Sequence, residues 1–280
     1  MANGFFTDTT LCIGCKACEV ACKQWNELPS DGLAFTGMSY DNTLRLSGTT
    51  WRHVAFVEDR EVGTTIVNRW SMMSDVCKHC THAGCMEACP TGAIIRNEFG
   101  DVYIQPDVCN GCGYCVPSCP FGVVDLIEPF KPSAAKAAEY NTATLDRERL
   151  SEGALQSHGG IAGKCTLCYD RQRLGFTPAC AKACPTESIQ FGNVDDLKAR
   201  ARKRVERLRE RGVDAQLYGV DETTSVGDLN AFFLLTQPPE HYNLPARPVL
   251  PSTHQPAGYA AAALAAAALA VAGLAIFRGR

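Results

Sequence analysis

Apolar and polar positions change rhythm several times along the chain. Thr50-Trp-Arg-His-Val-Ala-Phe-Val57 and Thr64-Thr-Ile-Val-Asn-Arg-Trp70 concentrate β-branched and aromatic residues on either side of the polar break Glu58-Asp-Arg-Glu-Val-Gly63, which predicts a hairpin. Ile94 to Ile104 predicts a shorter hairpin turning at Asn97 to Asp101. Asp195 to Gly212 has a different period: Leu197, Ala201, Val205 and Leu208 recur at helical spacing between an acidic start and a terminal glycine, the pattern of an amphipathic helix. Asn230-Ala-Phe-Phe-Leu-Leu-Thr236 is apolar without alternation and predicts a buried strand. Cys89-Pro-Thr-Gly-Ala-Ile94, Cys119-Pro-Phe-Gly-Val-Val124 and Cys184-Pro-Thr-Glu-Ser-Ile189 repeat one unit, in which proline ends a short helix and a strand follows.

Other stretches interrupt these. Residues 125–164, with Pro129, Pro132 and Ser157-His-Gly-Gly160, are expected to form a surface insertion carrying one helix near Ala134 to Leu155. Gln237-Pro-Pro to Pro256 is expected to be an extended proline-rich linker. Gly258 to Phe277 is alanine-rich and uncharged, the length one helix needs to cross a bilayer, although alanine contributes little to insertion. The resulting division is 1–76, 77–124, 125–164, 165–236, 237–257 and 258–280. The opening residues, MANGFFTDTTL, hold neither an apolar core nor paired arginines, so no export signal is expected on this chain.

The cysteines carry the chemistry. Cys109-x2-Cys112-x2-Cys115-x3-Cys119-Pro120 is the bacterial ferredoxin run, whose fourth thiolate serves the neighbouring cluster in two-cluster proteins. Such a run therefore implies a partner, and Cys77-x2-Cys80-x4-Cys85-x3-Cys89-Pro90 lies just upstream. Two further quartets flank this pair: Cys12, Cys15, Cys18 and Cys22, then Cys165, Cys168, Cys180 and Cys184. The first quartet lacks the trailing proline, so its last turn is free to stay helical. All 16 cysteines are then used, four for each of four cubes. A disulfide framework belongs to small secreted chains, and structural zinc joins two separated knuckles, so both fit these crowded spacings poorly.

Composition, at 46% hydrophobic and 20% charged, is that of an ordinary globular protein. The formal net charge of −3 counts every cysteine as neutral. Four oxidised cubes with their thiolates add about −8, bringing the loaded protein near about −11. Lys16, Lys23, Lys78, Lys164, Arg171 and Arg173 stand beside the motifs, either as surface charges or as groups that raise cluster potentials. Lys78, His79 and His82 are expected at the surface. Trp51 and Trp70 are expected to pack rather than relay electrons. The eight basic residues of the 195–212 helix are interleaved with Glu206 and Glu210, which favours a helix docked on the core over a nucleic-acid or lipid surface.

With these residues in view, the chain resembles the β, iron-sulfur, subunit of respiratory formate dehydrogenases, among the four-cluster electron-transfer subunits of the molybdopterin oxidoreductase superfamily. The likeness is carried by CIGCKACEVACKQWNE (12–27), SYDNTLRLSGTTWRHVAFVE (39–58), CNGCGYCVPSCPFGV (109–123), KCTLCYDR (164–171) and PACAKACPT (178–186). The first-quartet tail and Tyr40-Asp41-Asn42 favour this branch over nitrate, polysulfide and sulfoxide relatives. The resemblance implies an α+β fold of two ferredoxin-like dicluster modules with inserted hairpins, ending in a single transmembrane helix. It implies four [4Fe-4S] clusters held by Cys12, Cys15, Cys18 and Cys184; by Cys165, Cys168, Cys180 and Cys22; by Cys77, Cys80, Cys85 and Cys119; and by Cys109, Cys112, Cys115 and Cys89. No substrate bond is made or broken on such a protein. The implied partners are a molybdopterin or tungstopterin catalytic α subunit and a cytochrome b or similar γ subunit in the membrane, with no nucleic acid. The implied location is the cell membrane; Arg278 and Arg280 after the terminal helix, against Arg247 before it, place the cluster domain on the extracytoplasmic side by the positive-inside rule, reached only alongside a signal-bearing partner. Two rival readings remain at this point: a subunit of another molybdopterin reductase, or a free-standing polyferredoxin.

Overall fold

The computed structural model describes residues 2–30, 40–41, 43, 45–59, 69–127, 160–221 and 223–278. Strand β1 (Asn3–Asp8) runs through a 3-10 turn, Thr9–Leu11, toward helix α1 (Ala17–Trp25). Strands β2 (Arg52–Asp59) and β3 (Arg69–Val76) form an antiparallel pair, with Val54 opposite Ser74. Helix α2 (Gly84–Glu87) precedes the small ladder of β4 (Ile94–Arg96) with β5 (Val102–Ile104), and β6 (Asp125–Ile127) pairs with β7 (Ile161–Gly163). Helices α3 (Tyr169–Arg173) and α4 (Ala179–Lys182) lead into β8 (Ile189–Asn193) and the long α5 (Val194–Arg209). Strands β9 (Gln216–Tyr218) and β10 (Ala231–Leu235) follow, then helix α6 (Gln255–Arg278).

The main sheet has the order β8-β1-β10-β9. Its central pair, β1 and β10, is parallel, with Phe5 beside Ala231 and Phe6 beside Phe232. A parallel pair needs a crossover, and here the crossover contains all four cysteine quartets. The two faces of the sheet then divide the labour. Phe6 and Phe232 stack at 5.5 Å between centroids and meet Leu197, Ala201, Val205 and Leu208 of α5. Phe5 and Ala231 turn to the other side, into a core shared with Cys18, Cys77, Cys165 and Cys180. Each buried phenylalanine contributes roughly 1.5–3 kcal/mol of transfer free energy, so the sheet is an anchor against which the thiols are set.

Helix α5 begins where the Asn193 side chain accepts hydrogen bonds from the backbone N–H groups of Asp195 (2.9 Å) and Asp196 (3.3 Å). It carries acids in its first turn and Arg207 and Arg209 in its last, both matching the helix dipole.

Two sequence expectations change and a third lies outside the described residues. The second strand of the large hairpin runs from Arg69 to Val76 and leads straight into Cys77; of the segment predicted from Thr64, residues 64–68 lie outside the described residues. The helix expected near Ala134 to Leu155 also lies outside them, while the two ends of the insertion are laced together by the β6–β7 ladder. Residues after Gln237 are not extended: two 3-10 turns, Pro239–Tyr242 and Pro251–His254, lie there, and Tyr242, Leu244 and Leu250 are buried in the core under α5. Apolar burial outweighs the linker-like composition. Helix α6 is continuous and its side chains from Gly258 to Val271 are exposed, yet among the described residues no helix is long and apolar enough to cross a membrane.

Candidate metal centres

The first cysteine set is built from β1 outward. Asp8 caps the following turn through Thr10 N (2.9 Å), which delivers Cys12 to the edge of the sheet. Gly14 adopts φ +67°, and a Cβ there would lie 2.7 Å from Met72 and Phe56, so the loop between Cys12 and Cys15 requires glycine. Lys16 then takes a left-handed conformation and α1 begins, placing Cys18 and Cys22 one turn apart. Cys12, Cys15 and Cys18 line a hollow together with Val54, Ser74 and Ile189. Its fourth thiol is Cys184, from the far end of α4, rather than Cys22.

A second hollow repeats the arrangement. Cys77, Cys80 and Cys85 line it, and the fourth thiol is Cys119 from the next run. Lys78 and His79 form part of its wall and are each 1% exposed, which corrects the surface placement expected for both; His82 is exposed. His79 Nδ1 accepts a hydrogen bond from Val102 N at 3.1 Å, and burial followed by the charges of Lys164, Arg96 and Arg52 holds the ring neutral. Lys78 is neutralised by an ion pair with Asp75.

The two remaining sets are gathered by packing. Helix α1 carries Cys22 against α4, which carries Cys180. Trp25 at the end of α1 donates to Asp170 Oδ2 at 2.7 Å, and Arg171 lies 4.2 Å over its ring, so α3 is tied to the same place. Burial pushes the Cys22 thiol up, and Cys180 and Cys168 add to that. Cys168 is pushed up to about 12 by burial and by Cys180. Burial also raises Cys165, with Cys22, Cys77 and Cys180 contributing. In the last set, Cys115 is pushed up to about 11 by burial, then by Cys109, Cys112 and Cys89. Ala162 N donates to Cys109 Sγ at 3.4 Å.

These sets also touch end to end. Cys18 feels Cys180, Cys165 feels Cys77, and Cys85 feels Cys115. The resulting row has its two solvent-exposed thiols, Cys15 and Cys112, at opposite ends.

The donor set suits iron-sulfur cubes. Among the described residues no three or more His, Cys, Asp or Glu groups close on a point where a single ion could sit; the thiols instead stand around hollows. Buried thiolates are costly alone, and a cationic metal core removes that cost by holding them deprotonated. A buried cation supports the same conclusion: the Nε and Nη2 of Arg52 have no hydrogen-bond partner, although the residue is 1% exposed. The motif spacings do not single out Arg52; its one available signal is a charge two residues before Val54 on the inward face of a strand.

The 4Fe-4S dicluster domain family matches this sequence twice, at residues 11–93 and at residues 68–139 with 153–194. The formate dehydrogenase iron-sulfur subunit of Haemophilus influenzae is 36% identical over 245 residues, covering 86% of this chain and 68% of that protein. The nitrate-inducible formate dehydrogenase iron-sulfur subunit of Escherichia coli is 35% identical over 245 residues, covering 86% and 71%. A subunit of the anaerobic dimethyl sulfoxide reductase of Escherichia coli is 32% identical over 195 residues, covering 70% and 75%.

Proposed function

The protein belongs to the formate dehydrogenase iron-sulfur subunit family, and from that membership we propose that it carries electrons between a formate-oxidising catalytic subunit and a quinone-reactive subunit in the membrane. Each bound [4Fe-4S] cluster takes up and releases one electron. Cys12, Cys15, Cys18 and Cys184 hold the first; Cys22, Cys165, Cys168 and Cys180 the second; Cys77, Cys80, Cys85 and Cys119 the third; and Cys89, Cys109, Cys112 and Cys115 the fourth. The observation that carries this reading is the crossing seen twice: each hollow is closed by a thiol from another run, Cys184 in one and Cys119 in the other. Crossing of this kind is what paired cubes require.

The protein's own contribution is to hold, bury and tune. The apolar residues of the shared core, among them Phe5, Val54, Val123 and Leu167, exclude water from the thiols. Lys164 and Arg171 keep positive charge near them. Electrons enter and leave at the exposed ends, Cys15 and Cys112. The catalytic partner is a molybdopterin or tungstopterin subunit, and the membrane partner is of cytochrome b type. Gly258 to Phe277 anchors the protein beside that partner; support comes from the continuous helix Gln255–Arg278 and its uncharged run. The cluster domain lies on the extracytoplasmic side.

Oxygen-free purification from the native membrane tests this reading. A brown preparation with about sixteen irons per chain, accompanied by a subunit that oxidises formate, is the expected result. A colourless preparation overturns the conduit, and a sulfoxide-reducing companion overturns the formate assignment.

A further inference from the structure

We infer that Arg52 and Lys164 are fixed counter-cations built into the row, Arg52 between the first and second cysteine sets and Lys164 between the second and third, each setting the potentials of the two clusters it separates. The inference rests on the ligand sets proposed above.

Arg52 enters from β2 and is 1% exposed. Its Nη1 donates to Ser74 Oγ at 3.1 Å, and that hydroxyl lies 3.2 Å from Cys18 Sγ. The guanidinium lies 4.7 Å over the Phe5 ring, at the thiol-bearing face of the sheet. Among the described residues it forms no ion pair with a carboxylate, and two of its nitrogens lack any partner. Burial opposes its charge, but the thiolates of Cys180, Cys18, Cys165 and Cys22 outweigh that opposition. One of these four belongs to the first set and three to the second.

Lys164 occupies the equivalent position one step along. It is 2% exposed, and its Nζ donates to the backbone carbonyls of Val102 and Cys165. It too forms no ion pair with a carboxylate among the described residues. It adjoins Cys165 of the second set in the chain, and the Val102 carbonyl that it holds belongs to the wall of the hollow lined by Cys77 and Cys85 of the third. Lys78, though equally buried, is already matched by Asp75 and does not share this role.

A buried cation facing thiolates stabilises whichever state of the neighbouring group is more negative, and low local dielectric strengthens the effect. Adding an electron makes a cluster more negative, so each cation raises the potentials of its two neighbours.

EPR-monitored redox titration of the intact complex reads this directly. Arg52→Gln is expected to lower the potentials of the first and second clusters and leave the third and fourth in place. Lys164→Met is expected to lower the second and third and leave the first and fourth. Arg52→Lys, which keeps the charge, is expected to hold the native potentials. The inference is overturned if Arg52→Gln moves no potential, moves all four alike, or is matched by Arg52→Lys. Should Arg52→Gln lose a cluster, native potentials in Arg52→Lys together with the paired drop in Lys164→Met uphold the inference, and any other pattern overturns it. Loss of all four signals in the native protein would instead overturn the ligand sets themselves.

Discussion

Ser74 Oγ stands 3.2 Å from Cys18 Sγ, across the hollow wall from the helix that carries the cysteine. Once Cys18 is a thiolate it has no proton to give, so the serine hydroxyl is the donor. A hydrogen bond to a ligand sulfur favours the reduced, more negative cluster. Ser74→Ala is therefore expected to lower the potential of the cluster held by Cys12, Cys15, Cys18 and Cys184, with little change in the fourth. Redox titration followed by EPR checks it; an unmoved first signal would show that this hydroxyl does not donate to the ligand sulfur.

Crossed ligation makes a sharper prediction. Cys119 follows Cys115 by four residues but lines the hollow of Cys77, Cys80 and Cys85. Cys119→Ala is expected to abolish the signal of that upstream cluster, or convert it to a three-iron signal, while the cluster of Cys109, Cys112 and Cys115 persists. Iron should fall from about sixteen to between about twelve and about fifteen per chain. Loss of the downstream signal alone would mean that each run closes on itself.

The gathering of Cys119 with Cys77, Cys80 and Cys85 was legible because the spacing of a ferredoxin run already states that its fourth thiol belongs elsewhere, and helix α5 because Leu197, Ala201, Val205 and Leu208 keep one face apolar. Strand β3 was half hidden: Ser71-Met-Met-Ser-Asp75 holds no β-branched residue, and its pairing with β2 overrides propensity. Arg52, Lys78 and His79 were invisible as interior groups, since charge and polarity ordinarily signal surface. For Arg52 the partner is the buried negative charge of thiolates that are dispersed in sequence and gather only on folding, whereas Lys78 is matched by Asp75 and the neutral His79 accepts from Val102 N. The proline-rich stretch misled in the opposite direction, because the burial of Tyr242, Leu244 and Leu250 depends on a core supplied by distant strands.

Gly4 shows how tightly the sheet is closed. A Cβ at this position would lie 1.9 Å from the carbonyl oxygen of Asn230, the same oxygen that accepts the Phe5 N–H at 2.8 Å. Gly4→Ala must push β1 away from β10, weakening the one contact that brackets every cluster segment. We expect a loss of about 1–3 kcal/mol, the usual range for overpacking. Anaerobic denaturant unfolding measures it; a midpoint equal to that of the native protein would refute the close approach.

Asp101 makes stability depend on pH. It is fully buried, with Oδ2 accepting from Gln172 Nε2 (2.8 Å) and Asn97 Nδ2 (3.1 Å) while Oδ1 has no partner. Burial pushes its carboxyl up from 3.8 to about 6, against those hydrogen bonds and the charges of Lys164 and Arg96. The folded state thus holds this proton more tightly than the unfolded state, and stability falls as pH rises from about 3.8 through about 6. Between about pH 5 and about pH 7 the loss should be about 1 kcal/mol. Asp101→Asn is expected to flatten that portion of the stability profile; an unchanged slope would assign it to other groups.

The C-terminal helix offers the last test, because its packing ends abruptly. Leu250 is buried and Ser252 Oγ still reaches Glu87 Oε2 at 2.8 Å, yet Tyr259, Leu264, Leu269 and Val271 are all exposed. In the proposed function this run of unpacked apolar side chains meets a non-aqueous neighbour, where its alanines would permit close approach by a partner helix. Removing residues 258–280 cuts beyond Tyr242, Leu244 and Leu250, so the core and about sixteen irons per chain should remain. The shortened protein is expected to partition into the aqueous phase of a detergent extraction while the full-length form enters the detergent phase. Equal partitioning of the two forms would leave the helix without a role as an anchor, and membrane attachment would then fall entirely to the partner subunit.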